Sequence, residues 1–488
     1  MRFVVSAPGG RARLGVAVVI AAVLLLLAPG PANAVVPVTQ VSSDPYTGGP
    51  GQHRTEVEPD TFAFGTTIVA TFQVARINDG GAMNVGWATS TNGGTTWTHG
   101  QLPGTTTVVG GPYARLSDPA VTFDARHNVW LISSLALQTN PVRGVAVITS
   151  RSTNGGLTWA NPVVTATGSD LDKNWITCDN TATSPFFGNC YTQWDNHGDL
   201  NRIKMSTSSN GGLTWGPARN TGNNATGIGG QPVVRPNGTV IVPMANASES
   251  AILSFRSVDG GQSWRSTVTV ASVRSHTVAG GLRSGPLPSA EIDAAGTVYV
   301  VWQDCRFRTN CSANDIVMSH STSETTWSAV TRVPIDATTS GVDHFIPGIG
   351  VDRTTSGSGA RIGLTYHYYP NAACSASTCR LDVGYVSSTN GGASWSAPTQ
   401  VVGPMTLSWL ANTTQGRMVG DYISTSIVGG RAYPVVASAT APGGGLFNEP
   451  MVTPAGGLPL SGGSLRGAVM VLGGPVAGST AHGREHRR

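Results

Sequence analysis

Three arginines in this chain of 488 residues each precede a carboxylate by three or four positions. The pairs are Arg54 and Glu58, Arg115 and Asp118, and Arg417 and Asp421. A guanidinium group presents a planar set of donors that matches a carboxylate, so three converging arginines could bind an acidic ligand. In the alternative interpretation, each arginine pairs with its own neighbouring carboxylate, and such local pairs contribute little to stability.

A second set of residues combines aromatic rings with polar groups. A sugar-binding surface needs both, because the ring covers an apolar face and the polar groups direct hydrogen bonds. The candidates for substrate binding are Lys173, Trp302, Asp304, Arg306, His367 and Tyr369, with Trp194, Asp195 and Trp409 as further rim residues. The alternative is that these side chains are simply packed inside a large β-protein.

The elements that would position these residues are indicated by a short motif that occurs six times. The copies lie at residues 90–97, 152–159, 208–215, 257–264, a shortened 321–327, and 388–395. Each full copy contains an Asn or Asp, two glycines suited to positive φ and a final Trp, which predicts a tight β-turn held by a buried indole. Self-similarity at this period indicates a repeat protein.

Between the copies, short runs rich in β-branched residues predict four strands per repeat and no long helix. First strands are predicted to begin near Glu58, Asp118, Lys173, Gly230, Pro288, Phe345 and Gly420. The seventh unit lacks a fourth strand, and residues 36–42 could supply it. We therefore expect an all-β protein, a β-propeller of seven four-stranded antiparallel blades closed by the N-terminal strand. A six-bladed ring with the last segment packed outside is the alternative.

The repeated motif resembles the Asp-box, or BNR repeat, of sialidase-like β-propellers, with Asn in place of Asp in every full copy except the one that contains Asp259. The resemblance implies a site on the face opposite the motifs, where first strands begin. It also implies a tyrosine nucleophile, assigned to Tyr422 beside Asp421, because an attacking carboxylate would be repelled by an anionic sugar. The candidate acid–base residues are Glu58 and Asp118, with Glu56 as a further possibility, and Arg54, Arg115 and Arg417 would bind the sugar carboxylate.

The ends of the chain and its cysteines predict export. Residues 1–34 have the features of a secretory signal peptide, residues 35–455 form the predicted propeller, and residues 456–488 are a Gly-rich basic tail that resembles a decayed cell-wall sorting signal and is expected to be flexible. Short loops favour three local disulfides, Cys178–Cys190, Cys305–Cys311 and Cys374–Cys379. Disulfides are typical of secreted or wall-associated proteins.

Charge and motif content limit the partners. The formal net charge of +4 includes three arginines before residue 34, which leaves +1 and no basic face for nucleic acid. Without a Cys-x-x-Cys motif or clustered histidines we expect no metal and no cofactor. We expect a monomer that recognises a glycan or glycoconjugate and has no membrane span after signal cleavage.

Two functions follow from this sequence. The first is a secreted sialidase-like exo-glycosidase, of exo-α-sialidase type, that acts on terminal sugars including acidic ones. The second is a non-catalytic Asp-box propeller that binds glycan or protein at the cell surface. The cluster at residues 417–422 favours the enzyme. The reduction of the family's Arg-Ile-Pro segment to Arg54 alone favours the binding protein.

Overall fold

The structure, a computed structural model, describes residues 36–468. These residues form β-strands joined by turns and short 3₁₀ segments, which confirms the all-β prediction. The predicted signal peptide and the end of the tail lie outside the described residues. Within the described part, no helix is long and apolar enough to span a membrane.

Most of the strands fall into seven groups of antiparallel neighbours, here called groups 1 to 7 in chain order. A short strand, β1 (Val38–Gln40), precedes them. Groups 1 to 3 are continuous with one another. β4 pairs with β6 between groups 1 and 2. β9 is the fourth strand of group 2 through its first half, where it pairs with β8, and the first strand of group 3 through its second half, where it pairs with β10. Their strands are β2 (Glu56–Phe64), β3 (Thr67–Arg76), β4 (Ala82–Ser90) and β5 (Thr98–Gln101); β6 (Arg115–Asp124), β7 (Val129–Gln138), β8 (Arg143–Ser152) and β9 (Val163–Cys178); and β10 (Cys190–Asn196), β11 (Arg202–Ser208) and β12 (Arg219–Asn220).

The remaining groups form separate sheets. Group 4 contains β13 (Gly227–Ile228), β14 (Val233–Val234), β15 (Val240–Asn246), β16 (Ala251–Ser257) and β17 (Val268–Ser272); group 5 contains β18 (Ser289–Ile292), β19 (Val298–Asp304), β20 (Asp315–Ser321) and β21 (Thr331–Arg332); group 6 contains β22 (Asp343–Val351), β23 (Ile362–Tyr369), β24 (Arg380–Ser388) and β25 (Thr399–Thr406). A hairpin follows, with strands β26 (Ala411–Thr413) and β27 (Gly416–Met418). Group 7 contains β28 (Ser424–Val428), β29 (Arg431–Ala437), β30 (Met451–Pro454) and β31 (Leu458–Pro459). The 3₁₀ segments are Thr107–Val109, His197–Asp199, Ala279–Gly281, Thr309–Cys311, Gly357–Gly359 and Leu407–Trp409.

The first strands of the groups contact one another in chain order. β2 contacts β6, β6 contacts β9, β9 contacts β14, and the series continues through β18, β22 and β28. β28 in turn contacts β2. At the other edge of group 7, β1 pairs antiparallel with β30, with Thr39 opposite Thr453. The N-terminal strand therefore supplies the fourth strand of the last group.

The hydrophobic core lies between neighbouring groups, where side chains of adjacent sheets meet. Each such layer contains buried residues from both sheets: Phe72 and Val435, Val69 and Trp130, Tyr191 and Val242, Ile241 and Val300, Val301 and Leu364. Burial of apolar surface contributes roughly 25 cal/mol per Å². Face-to-face packing therefore holds successive groups together.

The repeated motif joins the third and fourth strands in six groups, as expected, and both glycines of each full copy have positive φ. We call the side of the sheets that carries these turns the turn face. The opposite side, where first strands begin and where the loops between second and third strands lie, is called the start face. All three predicted disulfides are present, and Cys305–Cys311 and Cys374–Cys379 lie in start-face loops.

The first part of the predicted flexible tail is bound to the sheets, in contrast to the expectation. β31 pairs with β29, and the Ser461 N–H donates to Ser387 Oγ at 3.0 Å. Further along, Leu465 pairs with Trp395, and the Arg332 N–H donates to the Ala468 carbonyl at 3.0 Å. The segment therefore runs from group 7 past group 6 to group 5, held by backbone hydrogen bonds that its composition does not indicate.

Candidate functional site

Three charged residues have equivalent positions near the start of first strands in groups 1, 2 and 3. Glu58, Asp118 and Lys173 have positive φ values of 55°, 46° and 43°. The strand pairing shifts register at each of them. A bulge of this kind redirects the side chain of the extra residue. Asp421, just before β28, brings a fourth charge from group 7.

These four side chains meet around the Lys173 ammonium group. Its Nζ lies 3.2 Å from Glu58 Oε1, 2.9 Å from Asp118 Oδ1 and 2.5 Å from Asp421 Oδ2. Arg283, whose Nε lies 2.7 Å from Asp421 Oδ1, completes what we call the lysine cluster. All five residues are buried. The void beside Glu58, Lys173 and Arg283 is only about 10 Å³, so the cluster is closed to a sugar.

Burial also governs protonation in the lysine cluster. It raises the pKa of Glu58 to about 7, against the opposing effect of Lys173. The pKa of Lys173 is raised well above its usual value: burial opposes this shift, but the charges of Asp118, Asp421 and Glu58 outweigh it. The lysine therefore stays protonated and neutralises carboxylates from three groups.

Tyr422 lies against this cluster but is not arranged as a nucleophile. Its hydroxyl donates to the Pro119 carbonyl at 3.2 Å, and the void it lines measures about 10 Å³. Burial raises the pKa of the hydroxyl well above its ordinary value, and the carboxylates of Glu58 and Asp118 raise it further. A nucleophilic tyrosine needs room for the sugar and a lowered pKa.

The three predicted arginines do not converge, and none of them pairs with the carboxylate that follows it. Arg54 is exposed, Arg115 Nη1 lies 2.5 Å from Asp79 Oδ1, and Arg417 Nη1 donates to the Leu410 carbonyl. The arginine that does reach the cluster, Arg283, was missed because no carboxylate follows it within four positions. Like Arg54, Arg283 lies just before the first strand of its group, here β18 of group 5. This shared position is the sequence signal that could have identified it.

The predicted aromatic platform lies in the interior. Trp302, His367 and Tyr369 are fully buried, so they present no face to a sugar. The indole of Trp302 donates to Asp304, which also accepts from Arg306. These residues therefore stabilise the start-face loops, in agreement with the alternative that they are packed inside the protein.

The described residues include two groups with the spacing of metal ligands, and in each of them the thiols or carboxylates already have partners. In the first, Cys178 and Cys190 are joined as a disulfide beside Asp124. In the second, Asp315 and Asp336 accept hydrogen bonds from arginines: Arg308 and Arg332 each contact both carboxylates. The guanidinium groups already neutralise those carboxylates.

An open cavity of about 570 Å³, here called the start-face cavity, lies next to the cluster. Its walls come from the loops between second and third strands in groups 1 to 3, from the middle of β9 and from the hairpin β26–β27. The polar lining residues are Asp79, Arg143, Ser169, Asp170, Asp172, His197 and Thr414. The volume lies within the range that is typical of small-molecule sites, roughly 300–1,000 Å³.

Two carboxyl groups in this cavity have pKa values shifted in opposite directions. Burial raises the pKa of Asp172 to about 6, and the nearby charge of Asp118 acts in the same sense. Partial burial alone would raise the pKa of Asp79, but the hydrogen bond and charge of Arg115 outweigh it and lower that pKa. Two carboxyl groups in one cavity, one with a raised pKa and one with a lowered pKa, are the pattern expected of an acid–base pair.

Two further acidic residues, Asp195 and Asp170, are neighbours of Asp172. Asp172 on β9 is the cross-strand partner of Asp195 on β10, whose own pKa is raised well above its usual value by burial and by Asp172. At the cavity wall, His197 Nδ1 lies 2.8 Å from Asp170 Oδ2. Asp79, Asp170, Asp172 and His197 were not predicted as site residues, because they share no motif or spacing: Asp170 and Asp172 lie in β9, and Asp79 and His197 lie in connections between strands.

Comparison with known proteins defines the fold only. No family model matches the chain, and no curated protein matches it. Among solved structures, an ulvan lyase of polysaccharide lyase family PL25 is similar over 86% of this chain and 95% of its own, at 10% identity and a TM-score of 0.50.

Two sialidases are also similar. Hadza microbial sialidase Hz136 matches over 64% of each chain at 16% identity and a TM-score of 0.43. Trypanosoma rangeli sialidase matches over 88% of this chain and 59% of its own at 12% identity and a TM-score of 0.43. This chain thus spans less than two thirds of the length of either sialidase.

Proposed function

We propose that this protein is an exported glycoside hydrolase that acts in the start-face cavity. The observation that carries the proposal is the pair Asp172 and Asp79, two carboxyl groups in one cavity with pKa values shifted apart. Glycosidases use a protonated acid together with a carboxylate to cleave the bond to a sugar. The cavity is large enough for a terminal sugar and the start of its aglycone.

In the proposed reaction, Asp172 donates its proton to the glycosidic oxygen as the bond from that oxygen to the anomeric carbon breaks. The Asp79 carboxylate faces the positive charge that develops on the sugar, and Arg115 keeps Asp79 ionised. A water molecule then adds to the anomeric carbon and returns a proton to Asp172. Arg143 at the cavity wall supplies a cation for an acidic substituent on the substrate.

The proposal includes the architecture and the destination of the chain. We propose a sialidase-like propeller of seven blades, with the repeated turns as Asp-boxes and β1 as the closing strand. The contact series from β2 through β28 and back to β2, together with the β1–β30 pairing, supports it. Three disulfides, with no free cysteine among the described residues, support an oxidising, extracellular location.

The test is turnover of a panel of fluorogenic glycosides that includes a sialoside and a uronide. Since Asp172 must be protonated, kcat/KM is expected to fall as the pH rises through about 6. Asp172→Asn is expected to lower kcat roughly 100-fold or more with retained folding. The matched control Asp199→Asn, an exposed aspartate in the neighbouring loop, should keep full activity. Equal activity in Asp172→Asn and the control would refute the assignment.

The same assay separates this site from the tyrosine predicted by resemblance. Tyr422→Phe should retain turnover if Asp172 and Asp79 act, and should lose it if Tyr422 is the nucleophile beside Glu58 and Asp118. The non-catalytic alternative is supported by the closed state of the lysine cluster. It predicts saturable glycan binding with no turnover of any glycoside in the panel.

A further inference from the structure

A large cavity opens on the turn face, on the other side of the sheets from the proposed catalytic site. Its volume is about 720 Å³, and we call it the turn-face cavity. The turns that join first and second strands line it in six of the seven groups. Representative lining residues, one from each of groups 1, 3, 4, 5, 6 and 7, are Phe64, Asn180, Pro236, Asp293, Arg353 and Gly429.

The turn-face cavity ends blindly. Further in, the voids along the first strands measure about 30 Å³ beside Trp175 and about 10 Å³ beside Lys173. A single water molecule in the liquid occupies roughly 30 Å³, so no sugar passes through these voids. A ligand in the turn-face cavity is therefore separate from one in the start-face cavity.

Aromatic side chains form part of the wall. Phe64 is 42% exposed, and its ring centroid lies 4.4 Å from that of Phe123. Next to it, the Arg353 guanidinium lies 4.7 Å above the Phe62 ring. A half-exposed phenylalanine supported from behind is a rigid apolar surface for the C–H face of a sugar ring.

The acidic groups of the cavity already have donors inside the protein. Asp293 accepts from the Thr297 and Gly357 N–H groups at 2.8 and 3.0 Å, and Glu291 accepts from Arg353 at 3.0 Å. Asp352 accepts from the Thr354 hydroxyl at 2.7 Å. These carboxylates are thus engaged by internal partners.

Arg361 differs from these residues. It is exposed at the cavity wall, and among the described residues its guanidinium group has no hydrogen bond or ion pair. Arg361 and the half-exposed ring of Phe64 line the same cavity, which therefore offers both a cation and an apolar face. The group available to a ligand is therefore cationic, although acidic side chains line the same wall.

We propose that the turn-face cavity binds a sugar that carries a carboxylate, such as a uronic acid. Arg361 pairs with the ligand carboxylate, for which a guanidinium has matching geometry. Phe64 packs against the ring. Binding at this site does not depend on turnover in the start-face cavity. Either proposal can therefore be wrong while the other is correct.

The experiment is calorimetric titration of the full-length protein with D-glucuronate and with D-glucose. The wild-type protein is expected to bind glucuronate about tenfold more tightly than glucose, since a charge-assisted pair is stronger than a neutral hydrogen bond. Arg361→Gln should weaken glucuronate binding about tenfold and remove the preference. Phe64→Ala should weaken the binding of both sugars. Thermal melts of each variant verify that it is folded.

Two control variants make the result specific. Arg265→Gln, an exposed arginine outside this cavity, should bind glucuronate like the wild type. Asp172→Asn should also keep glucuronate binding while it loses glycoside turnover. The proposal is overturned if glucuronate shows no saturable binding, if Arg361→Gln binds it as the wild type does, or if Asp172→Asn abolishes binding.

Discussion

At the scale of single residues, Lys173 links parts of the chain that are far apart. Its contacts to Glu58 and Asp421 span 115 and 248 residues of sequence. A buried charge is stable only when its partners satisfy it, and removal of one partner leaves the others buried and uncompensated. Lys173, expected from the sequence to bind ligand, lies instead in a closed ionic cluster.

The chain contains two lysines, which provide a matched test of this role. Lys173→Met is expected to lower the free energy of unfolding by about 3 kcal/mol or more, because Asp118 loses its buried counter-ion and Asp421 retains Arg283 but loses the lysine. Lys204→Met, at a partly exposed position with an ion pair to Asp199, should change it by about 0.5 kcal/mol or less. Urea denaturation measures both. Similar values for the two variants would contradict the role assigned to Lys173.

At the scale of elements, the repeated turn combines local hydrogen bonds with a contact to the preceding group. In the second copy, Ser152 Oγ accepts from the Gly156 N–H at 3.0 Å, and Asn154 Oδ1 accepts from the Thr158 N–H at 3.0 Å. The Gly156 carbonyl also accepts from the Thr89 hydroxyl of group 1 at 2.7 Å. The turn therefore fastens group 2 to group 1.

Two adjacent glycines in this turn separate backbone strain from packing. Gly155 and Gly156 have φ values of 79° and 80°, so an alanine is strained at either position. An added Cβ at Gly155 meets open space, but at Gly156 it would lie 2.8 Å from Val69 Cγ2. Gly155→Ala is expected to cost about 1 kcal/mol and Gly156→Ala about 3 kcal/mol. Equal losses in chemical denaturation would show that the contact between the groups is unimportant.

At the scale of the whole molecule, several buried carboxyl groups couple stability to pH. Burial raises the pKa of Glu56 to about 8 and that of Asp60 to about 7. The folded protein therefore holds protons that the unfolded chain releases above about pH 4.5, and stability falls as the pH rises towards 8. His367 has the opposite effect on stability. Burial lowers its pKa to about 4, so below about pH 6.5 the unfolded chain binds a proton that the folded protein does not, and stability there rises with pH.

The free energy of unfolding is therefore expected to be lower at pH 8 than at pH 6.5. Glu56→Gln cannot ionise and should remove part of this decline, whereas the surface variant Glu324→Gln should keep the wild-type slope. Urea denaturation at several pH values gives the three slopes. If Glu56→Gln retains the full decline, Glu56 does not carry the effect.

Local sequence was sufficient for the repeated elements. The motif around Asn154, the first strands near Glu58 and Asp118, the three disulfides and the pairing of residues 38–40 with the last group were all predicted. These features depend on turn chemistry, on alternating apolar residues and on short loops, and each of these is visible within a few neighbouring residues.

Only the tertiary structure decided which side chains meet. Sequence spacing grouped Arg54, Arg115 and Arg417, but their side chains go to the solvent, to Asp79 and to a backbone carbonyl. The position of Lys173 among distant carboxylates, the opposite pKa shifts of Asp79 and Asp172, and the free guanidinium of Arg361 depend on burial and on contacts between strands far apart in sequence. A one-dimensional pattern contains neither kind of information, because burial and long-range contact arise only when the sheets pack together.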